Sequence, residues 1–273
     1  MVPVDEHREN ERVSGAYAYD NAGREAPSRF DALSAGYDAG TIRHLTDLGV
    51  GPGWHCLEVG AGHGSIAHWL SERVGPSGRI LATDIDTRHL SFLNLPNVEV
   101  LQHDIASDPL PERAFDLAHC RLVLVHLPQR DLALTRMVSA LKPGGVLLAE
   151  EFDTLSMQAD STINPVEDPL KTHSALFTLL HRKGVDVRYG RVLPGRLRDS
   201  GLVNIHAEGR VFMWSGASPF ADHHKANFDQ LRRDMIEAGL ITAEEFERDR
   251  ARLDDPQFFR LSPVMWAVWG RRP

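Results

Sequence analysis

Cysteine, positive charge and long apolar runs are all scarce in this 273-residue chain. The two cysteines, Cys56 and Cys120, each lie inside an apolar stretch. No disulfide framework is expected from them, because buried cysteines in a reducing compartment pack as small hydrophobes. Lys and Arg number 30 against 38 Asp and Glu, giving a formal charge of −8 with no basic cluster or stripe. A protein that grips phosphate backbones carries such a footprint, so no nucleic-acid partner is expected. No apolar run approaches the roughly 20 residues that span a bilayer. The polar start, Met1 to Asn10, has no signal-peptide core. Together these absences predict a cytoplasmic chain with no membrane partner. Its length suits one domain with a full core, and it carries no internal repeat or low-complexity tract.

What is present begins at Cys56-Leu57-Glu58-Val59-Gly60-Ala61-Gly62-His63-Gly64-Ser65. An apolar run leads through three alternating glycines into Ile66, Trp69, Leu70 and Val74, which share one helix face. A strand that turns through glycines into a helix brings bare backbone close to a ligand, and the helix N-terminus adds unpaired N–H groups. This predicts a nucleotide-type cofactor loop. Gly62, Gly64 and Ala67 fit the dinucleotide fingerprint, and Asp84 lies where a ribose ligand is expected. Two features weigh against NAD. Glu58 sits beside the loop, where a pyrophosphate is repelled and the cationic amino group of a methionine moiety is welcome. None of Tyr17, Tyr19, Tyr37 and Tyr189 has a lysine four residues later, so a Tyr-x-x-x-Lys dehydrogenase pair is missing.

The order of motifs from about Arg43 to Asp153 resembles the class I S-adenosylmethionine (SAM)-dependent methyltransferases. Glu58 to Gly64 is similar to the family's first motif and Ile80 to Asp86 to its second. His103-Asp104-Ile105 is similar to the third. Phe115 to Pro128 resembles the strand-four region, and Leu141 to Gly145 the turn before strand five. Within the family the chain is most similar to small-molecule enzymes of the quinone-pathway type and of bacterial specialised metabolism. The resemblance implies a Rossmann-like α/β fold with a seven-stranded, mostly parallel sheet and an antiparallel C-terminal hairpin. It implies transfer of a methyl group from SAM to a C, N or O atom of a small, largely apolar, aromatic or heteroaromatic molecule, releasing S-adenosylhomocysteine (SAH). Three rivals stay open: a cyclase or isomerase of this fold that keeps SAM as a bound cation, a SAM-binding module without chemistry, and an NAD-dependent oxidoreductase. Monomer and homodimer are both compatible with the sequence.

Organisation follows the hydrophobic pattern of a single domain, residues 1–273. Residues 1–50 read as a helical N-terminal lid and 51–153 as the SAM-binding core, with strands near 54–60, 79–84, 97–102, 115–122 and 145–152. Residues 154–201 read as an inserted helical cap. Residues 202–273 supply a strand near 203–213, helices near 218–238 and 243–252, and a closing strand near 259–269. Thr242 and Glu245 form a capping box for the last helix. The charge run Glu244 to Asp249 reads as a solvated face.

The resemblance assigns Gly60, Gly62 and Gly64 to the methionine part of SAM, with Glu58 beside its amino group. Asp84 is assigned to the ribose hydroxyls, which a carboxylate can accept. Asp104 goes to the adenine amino group and Ile85 and Ile105 to the ring faces. Arg121 approaches the cofactor carboxylate or makes a structural salt bridge, and His63 lines the loop. Base candidates must lie near the C-terminal sheet edge. His126 follows strand four and is a general base or a core histidine. Glu150 and Glu151 point to opposite faces, and Glu151 is the favoured pocket residue. His173 and His181 lie on the cap's first helix as base candidates, though a satisfied core histidine is the commoner outcome. Tyr17, Tyr19 and Tyr37 are lid candidates, with Tyr19 a catalytic one. Phe212, Met213 and Trp214 line an acceptor pocket or the strand core. No metal site is expected: Asp222-His223-His224 lacks a partner pair, and adjacent histidines on a helix diverge.

Overall fold

The computed structural model describes residues 26–154, 157 and 170–273. Tyr17 and Tyr19 lie outside them. Among the described residues nine strands form: β1 (His55–Val59), β2 (Arg79–Asp84), β3 (Val98–Gln102), β4 (Phe115–Arg121), β5 (Leu141–Asp153), β6 (Val203–Arg210), β7 (Met213–Ser215), β8 (Phe259–Leu261) and β9 (Val264–Arg271). Seven of them make one sheet in the order β3-β2-β1-β4-β5-β9-β6, and β7 pairs with β8 separately. The first five run parallel, and β9 is antiparallel to both β5 and β6.

Strand alternation divides the core between the two sheet faces. Leu57, Cys120 and Leu147 belong to one buried cluster; Cys56, Ala82 and Leu148 belong to the other. The two cysteines are free, buried and in opposite clusters, as small hydrophobes in a covered parallel sheet. Helix α1 (Ala26–Asp47) precedes the sheet, α2 (Ser65–Val74) follows the glycine loop, and α3 (Arg130–Ala140) precedes β5. Ile66, Leu70 and Val74 of α2 enter the second cluster, while Leu134 and Met137 of α3 enter the first.

After β5 come α4 (Lys171–Arg182) and α5 (Leu193–Asp199); α6 (Pro219–Glu237) and α7 (Ala243–Arg252) separate β7 from β8. The capping box that opens α7 is formed on both sides, Thr242 with Glu245. The charge run in α7 is not wholly solvated: Asp249 is fully buried and accepts from Thr172 N (2.9 Å) and Thr172 Oγ1 (3.0 Å), holding the start of α4. The two late strands differ from a single strand each. Both break where the chain leaves the main sheet, and Ser262 N donates to the Phe212 carbonyl (2.8 Å) while Phe212 N donates to Ser262 Oγ (3.1 Å). Pro263 beside this junction has no N–H for a ladder.

Strands β1, β2 and β4 end on the same sheet edge, where the order reverses about β1. In open α/β sheets that switch point is where ligands bind. Among the described residues no helix is long and apolar enough to cross a membrane.

Candidate active site

A cavity of about 300 Å³ opens at that edge. One end is the glycine loop. Gly60 and Gly62 have φ of 69° and 59°, the left-handed region that side chains disfavour. The N–H groups of Gly60 and Ala61 both donate to the Thr83 carbonyl, at 2.8 and 3.0 Å, tying the loop to the end of β2. A Cβ on Gly60 would run into Val123 Cγ2, and one on Gly62 would sit 3.3 Å from Phe30 Cε1 of α1. The loop is therefore pinched between β4's exit and the first helix. Gly64 departs from its expected role: it does not line the cavity. A Cβ there would lie 2.7 Å from Leu93 Cδ1, so its task is close packing at the start of α2.

Glu58, Asp84 and Asp104 are the carboxylates lining the cavity among the described residues. Asp84 accepts from Gly62 N (2.8 Å) on one oxygen and Asp86 N (3.0 Å) on the other. Burial raises its pKa, and those N–H groups oppose the shift. Each oxygen retains a lone pair for a ligand hydroxyl. Asp104 is half committed to its own turn, accepting from Ala106 N (2.8 Å) and Ser107 Oγ (3.1 Å). Ile85 and Ile105 line the cavity beside it, and His63 lines it from the loop, 3.2 Å from Ser34 Oγ.

Behind Glu58 runs a buried charge network. His119 on β4, fully buried, is 2.7 Å from Glu58 Oε2 through Nδ1 and 3.2 Å from Glu150 Oε2 through Nε2. Carboxylates at both nitrogens favour the imidazolium. Burial alone lowers the pKa, but the charge of Glu58 and the bonds to both glutamates outweigh it and hold His119 at about 9. Glu150 is held well below the usual carboxylate range: its hydrogen bond to His119 and the His44 ring 3.5 Å away overcome a large burial penalty. Glu150 also accepts from Thr41 Oγ1 of α1 at 2.5 Å. Arg121 lines the cavity, yet its guanidinium is engaged with Asp38 (2.7 Å) and Thr41 Oγ1 (2.9 Å). The salt-bridge alternative for Arg121 is the observed one.

Several base candidates fall elsewhere. Glu151 does not line the cavity. Its oxygens accept from the N–H groups of Val123 (3.1 Å), Leu124 (2.7 Å) and Val125 (3.3 Å), so it caps the 3-10 turn Leu124–His126. Burial outweighs those donors and lifts its pKa to about 8. The orphan N–H groups of a turn capture the nearest carboxylate, and alternation delivered Glu151 to them. His181 is exposed in the last turn of α4 and outside the cavity. Tyr37 is core, packed among Phe152, Phe212 and Phe220, not a lid over the loop. Phe212, Met213 and Trp214 do not line the cavity, and Met213 is exposed. His126 does line it, half-buried, and desolvation of its ring with Arg29 and Arg130 nearby lowers its pKa to about 3.

The far end of the cavity is apolar, with Leu176, Phe177 and Leu180 of α4 facing Val185 and Val187. The cavity is also lined by Arg29 of α1 and by His223, His224 and Asn227 of α6, none of which the sequence offered as a base or acceptor-site residue. His223 and His224 both line the cavity, against the expectation that neighbouring histidines diverge. His173 sits one layer back, its Nε2 3.2 Å from His224 Nδ1. The signal for this face was present: Phe220, His223, His224, Asn227 and Leu231 recur at helical spacing on α6, with polar residues inside an apolar stripe.

Residues 57–149 match the Methyltransferase domain family. Methyltransferase str3 of Strobilurus tenacellus is 28% identical over 178 residues, 64% of this chain and 62% of the relative. The ubiquinone/menaquinone biosynthesis C-methyltransferase UbiE of Cupriavidus necator is 26% identical over 163 residues, 55% of this chain and 63% of the relative. The matched regions thus span less than two thirds of these relatives. Among solved structures, the YcgJ protein from Bacillus subtilis aligns over 87% of this chain and all of its own, with TM-score 0.60 and 15% identity. A Haemonchus contortus phosphoethanolamine N-methyltransferase 2 in complex with SAH aligns over 86% of this chain and 52% of its own, with TM-score 0.55 and 13% identity. These likenesses give the fold: the Rossmann-like class I methyltransferase architecture, antiparallel hairpin included.

Proposed function

We propose that this chain, a member of the class I SAM-dependent methyltransferase family, transfers a methyl group from SAM to a C, N or O atom of a small, largely apolar molecule. The observation that carries the reading is the division of one cavity into an acidic, glycine-lined end and an apolar end. Cofactor and acceptor need such adjacent compartments, because methyl transfer is an in-line displacement.

The residues of the acidic end fit SAM. Glu58, backed by His119, offers a buried negative charge beside the first glycine for the methionine amino group. Bare backbone at Gly60 and Gly62 lets a ligand lie against the loop, since a Cβ at either position meets Val123 or Phe30. Asp84 has lone pairs left for two ribose hydroxyls, and Ile85 and Ile105 offer apolar faces for adenine with Asp104 at their edge. SAM when bound supplies an already activated methyl group. The chain's part is then to hold the acceptor atom in line and keep water out. Such positioning is worth on the order of 7–11 kcal/mol in favourable cases. Leu176, Phe177 and Leu180 supply the apolar wall that does both.

Calorimetric titration with SAM, SAH and NAD separately tests this reading. We expect saturable binding of SAM and SAH, none of NAD, and at least about tenfold weaker SAH binding on Asp84→Ala, the loss of one charged hydrogen-bonding group. Binding of NAD alone would sink it.

A further inference from the structure

The acceptor end carries two buried polar atoms whose hydrogen-bonding capacity is unspent. His223 Nδ1 lies 3.3 Å from the Arg29 carbonyl, which can only accept, so that nitrogen bears the hydrogen. His223 Nε2 is therefore the acceptor in the neutral ring and receives Asn227 Nδ2–H at 3.0 Å. This fixes the amide of Asn227 and leaves its Oδ1 without a partner. On the next residue of the same helix, His224 Nδ1 is 3.2 Å from His173 Nε2, and His224 Nε2 has no partner. His224 and Asn227 are each 7% exposed and both line the cavity. The His224 ring is locked by stacking on Trp214 (4.8 Å, 21°) and edge contact with Phe220 (5.1 Å). A buried polar atom left unpaired is destabilising, so two of them on one cavity wall mark a place that a ligand completes.

Charge selects the kind of ligand. The lining carboxylates, Glu58, Asp84 and Asp104, all belong to the cofactor end. The cations near the histidine wall are Arg29, which lines the cavity, and Arg260, which helps hold His173 and His224 neutral after burial itself. His223 is likewise kept neutral by burial, at about 4. A cationic amine is disfavoured against this wall. A neutral hydroxyl, which brings no charge of its own, is favoured.

We propose that His224 and Asn227 bind the hydroxyl of a phenol or enol on an otherwise apolar acceptor, and that His224 receives its proton during O-methylation. The inference rests on the methyl-transfer reading above. In this proposal the hydrogen between the two rings belongs to His224 Nδ1, which donates it to His173 Nε2 and leaves His224 Nε2 to accept. A lone pair on the acceptor oxygen forms the bond to the methyl carbon, and the carbon–sulfur bond breaks with its pair left on sulfur. The hydroxyl proton passes to His224 Nε2, so one positive charge moves from sulfonium to imidazole. The hydroxyl proton grows acidic as the oxygen shares its lone pair with the methyl carbon, which lets a histidine kept neutral by burial take it; a phenol, already more acidic than an aliphatic alcohol, is the easier acceptor. His173 positions the ring and its tautomer without touching the acceptor.

The test uses the full chain saturated with SAH and titrated with 2-naphthol and 4-phenylphenol, each against its own methyl ether. At least one phenol should bind about tenfold or more tightly than its ether, because a site built to pair a hydroxyl rejects the analogue lacking it. His224→Phe and Asn227→Leu should each cut that preference to less than about twofold while SAH affinity stays near wild type. His224→Gln serves if the Phe variant fails to fold. In His173→Phe, the ring-nitrogen NMR shifts of His224 should change from one tautomer to a mixture. Equal binding of phenols and ethers, no binding of either phenol, or a preference that survives both variants overturns the proposal. Failure of SAH to bind at all is a different failure, that of the methyl-transfer reading. The phenol preference is then read on the ligand-free protein.

Discussion

His119 holds two carboxylates that would otherwise face each other across β1, β4 and β5 inside the sheet. All three groups are nearly or wholly removed from water. One positive and two negative charges leave a net negative charge, and Glu58 presents it to the cavity. Removing the imidazole leaves buried charges unpaired, which typically costs 3–5 kcal/mol. Relief comes by protonating a glutamate, which cancels the charge that Glu58 offers. His119→Leu should therefore lower unfolding free energy by about 3 kcal/mol or more and weaken SAH binding together. Urea denaturation and calorimetry on one preparation check both, and unchanged SAH affinity in a destabilised variant would separate the network from the site. This residue gave no signal in the sequence: a lone histidine in an apolar strand looks like any core histidine. Its partners lie 61 and 31 positions away and meet it only through parallel pairing. Asp84 was legible because its distance from the loop is fixed by one strand–loop–helix–strand unit.

The elements that the sequence announced are those whose pattern is local. β1 to β4 fall within a residue or two of the expected spans because each is a short apolar run bounded by Gly, Pro or Asp. The glycine loop reads directly, since positive φ demands glycine whatever the rest of the fold does. The breaks that create β7 and β8 were not legible, because they depend on Ser262 meeting Phe212 across 50 residues. The histidine stripe of α6 was legible as helical spacing, but not what it faces: α1 lies about 200 residues earlier, and Arg29 Nη1 donates to Gln230 at 2.9 Å across 201 positions. The loop itself yields a prediction. Gly60→Ala places a side chain at φ 69°, costing about 1–2 kcal/mol, and drives its methyl group toward Val123 on the cavity wall. SAH affinity should fall by about tenfold or more, with only a modest drop in melting temperature. Near-wild-type affinity by calorimetry would mean that the loop backbone does not approach the ligand.

Across the whole molecule, the buried titratable groups set how stability changes with pH. Among the described residues four histidines, three of them buried and His126 half-buried, are held neutral: His126 at about 3, His223 at about 4, and His173 and His224 well below their usual value of 6.5. In the unfolded chain each takes up a proton as pH falls below 6.5, while the folded chain resists. Their stabilising effect is thus present above 6.5 and lost as pH falls toward 4. Each contributes about 1.4 kcal/mol per pH unit over that range. His119, Glu151 and Asp84, the last with its pKa raised by burial, act in the other direction. His119, raised to about 9, stabilises fully below 6.5 and loses that contribution as pH rises through 9. Glu151, raised from 4.5 to about 8, keeps its proton when folded and sheds it when unfolded, so it also weakens the fold as pH rises between those values. Between pH 4.5 and 6.5 the four histidines outnumber Glu151 and Asp84 together and stability climbs; above 6.5 only the falling contributions remain. Ligand-free protein should therefore be most stable near pH 6.5, with a steep acid limb and a shallower alkaline one. Urea midpoints from pH 4.5 to 9 measure the curve. A profile flat from pH 5 to 8 would mean that these histidines are not held neutral in the folded chain. In His224→Phe, which removes one of the four and loosens the bond to His173, the acid limb should become less steep by at least one proton's worth, about 1.4 kcal/mol per unit. That change in slope reports on the histidine wall with neither cofactor nor acceptor present.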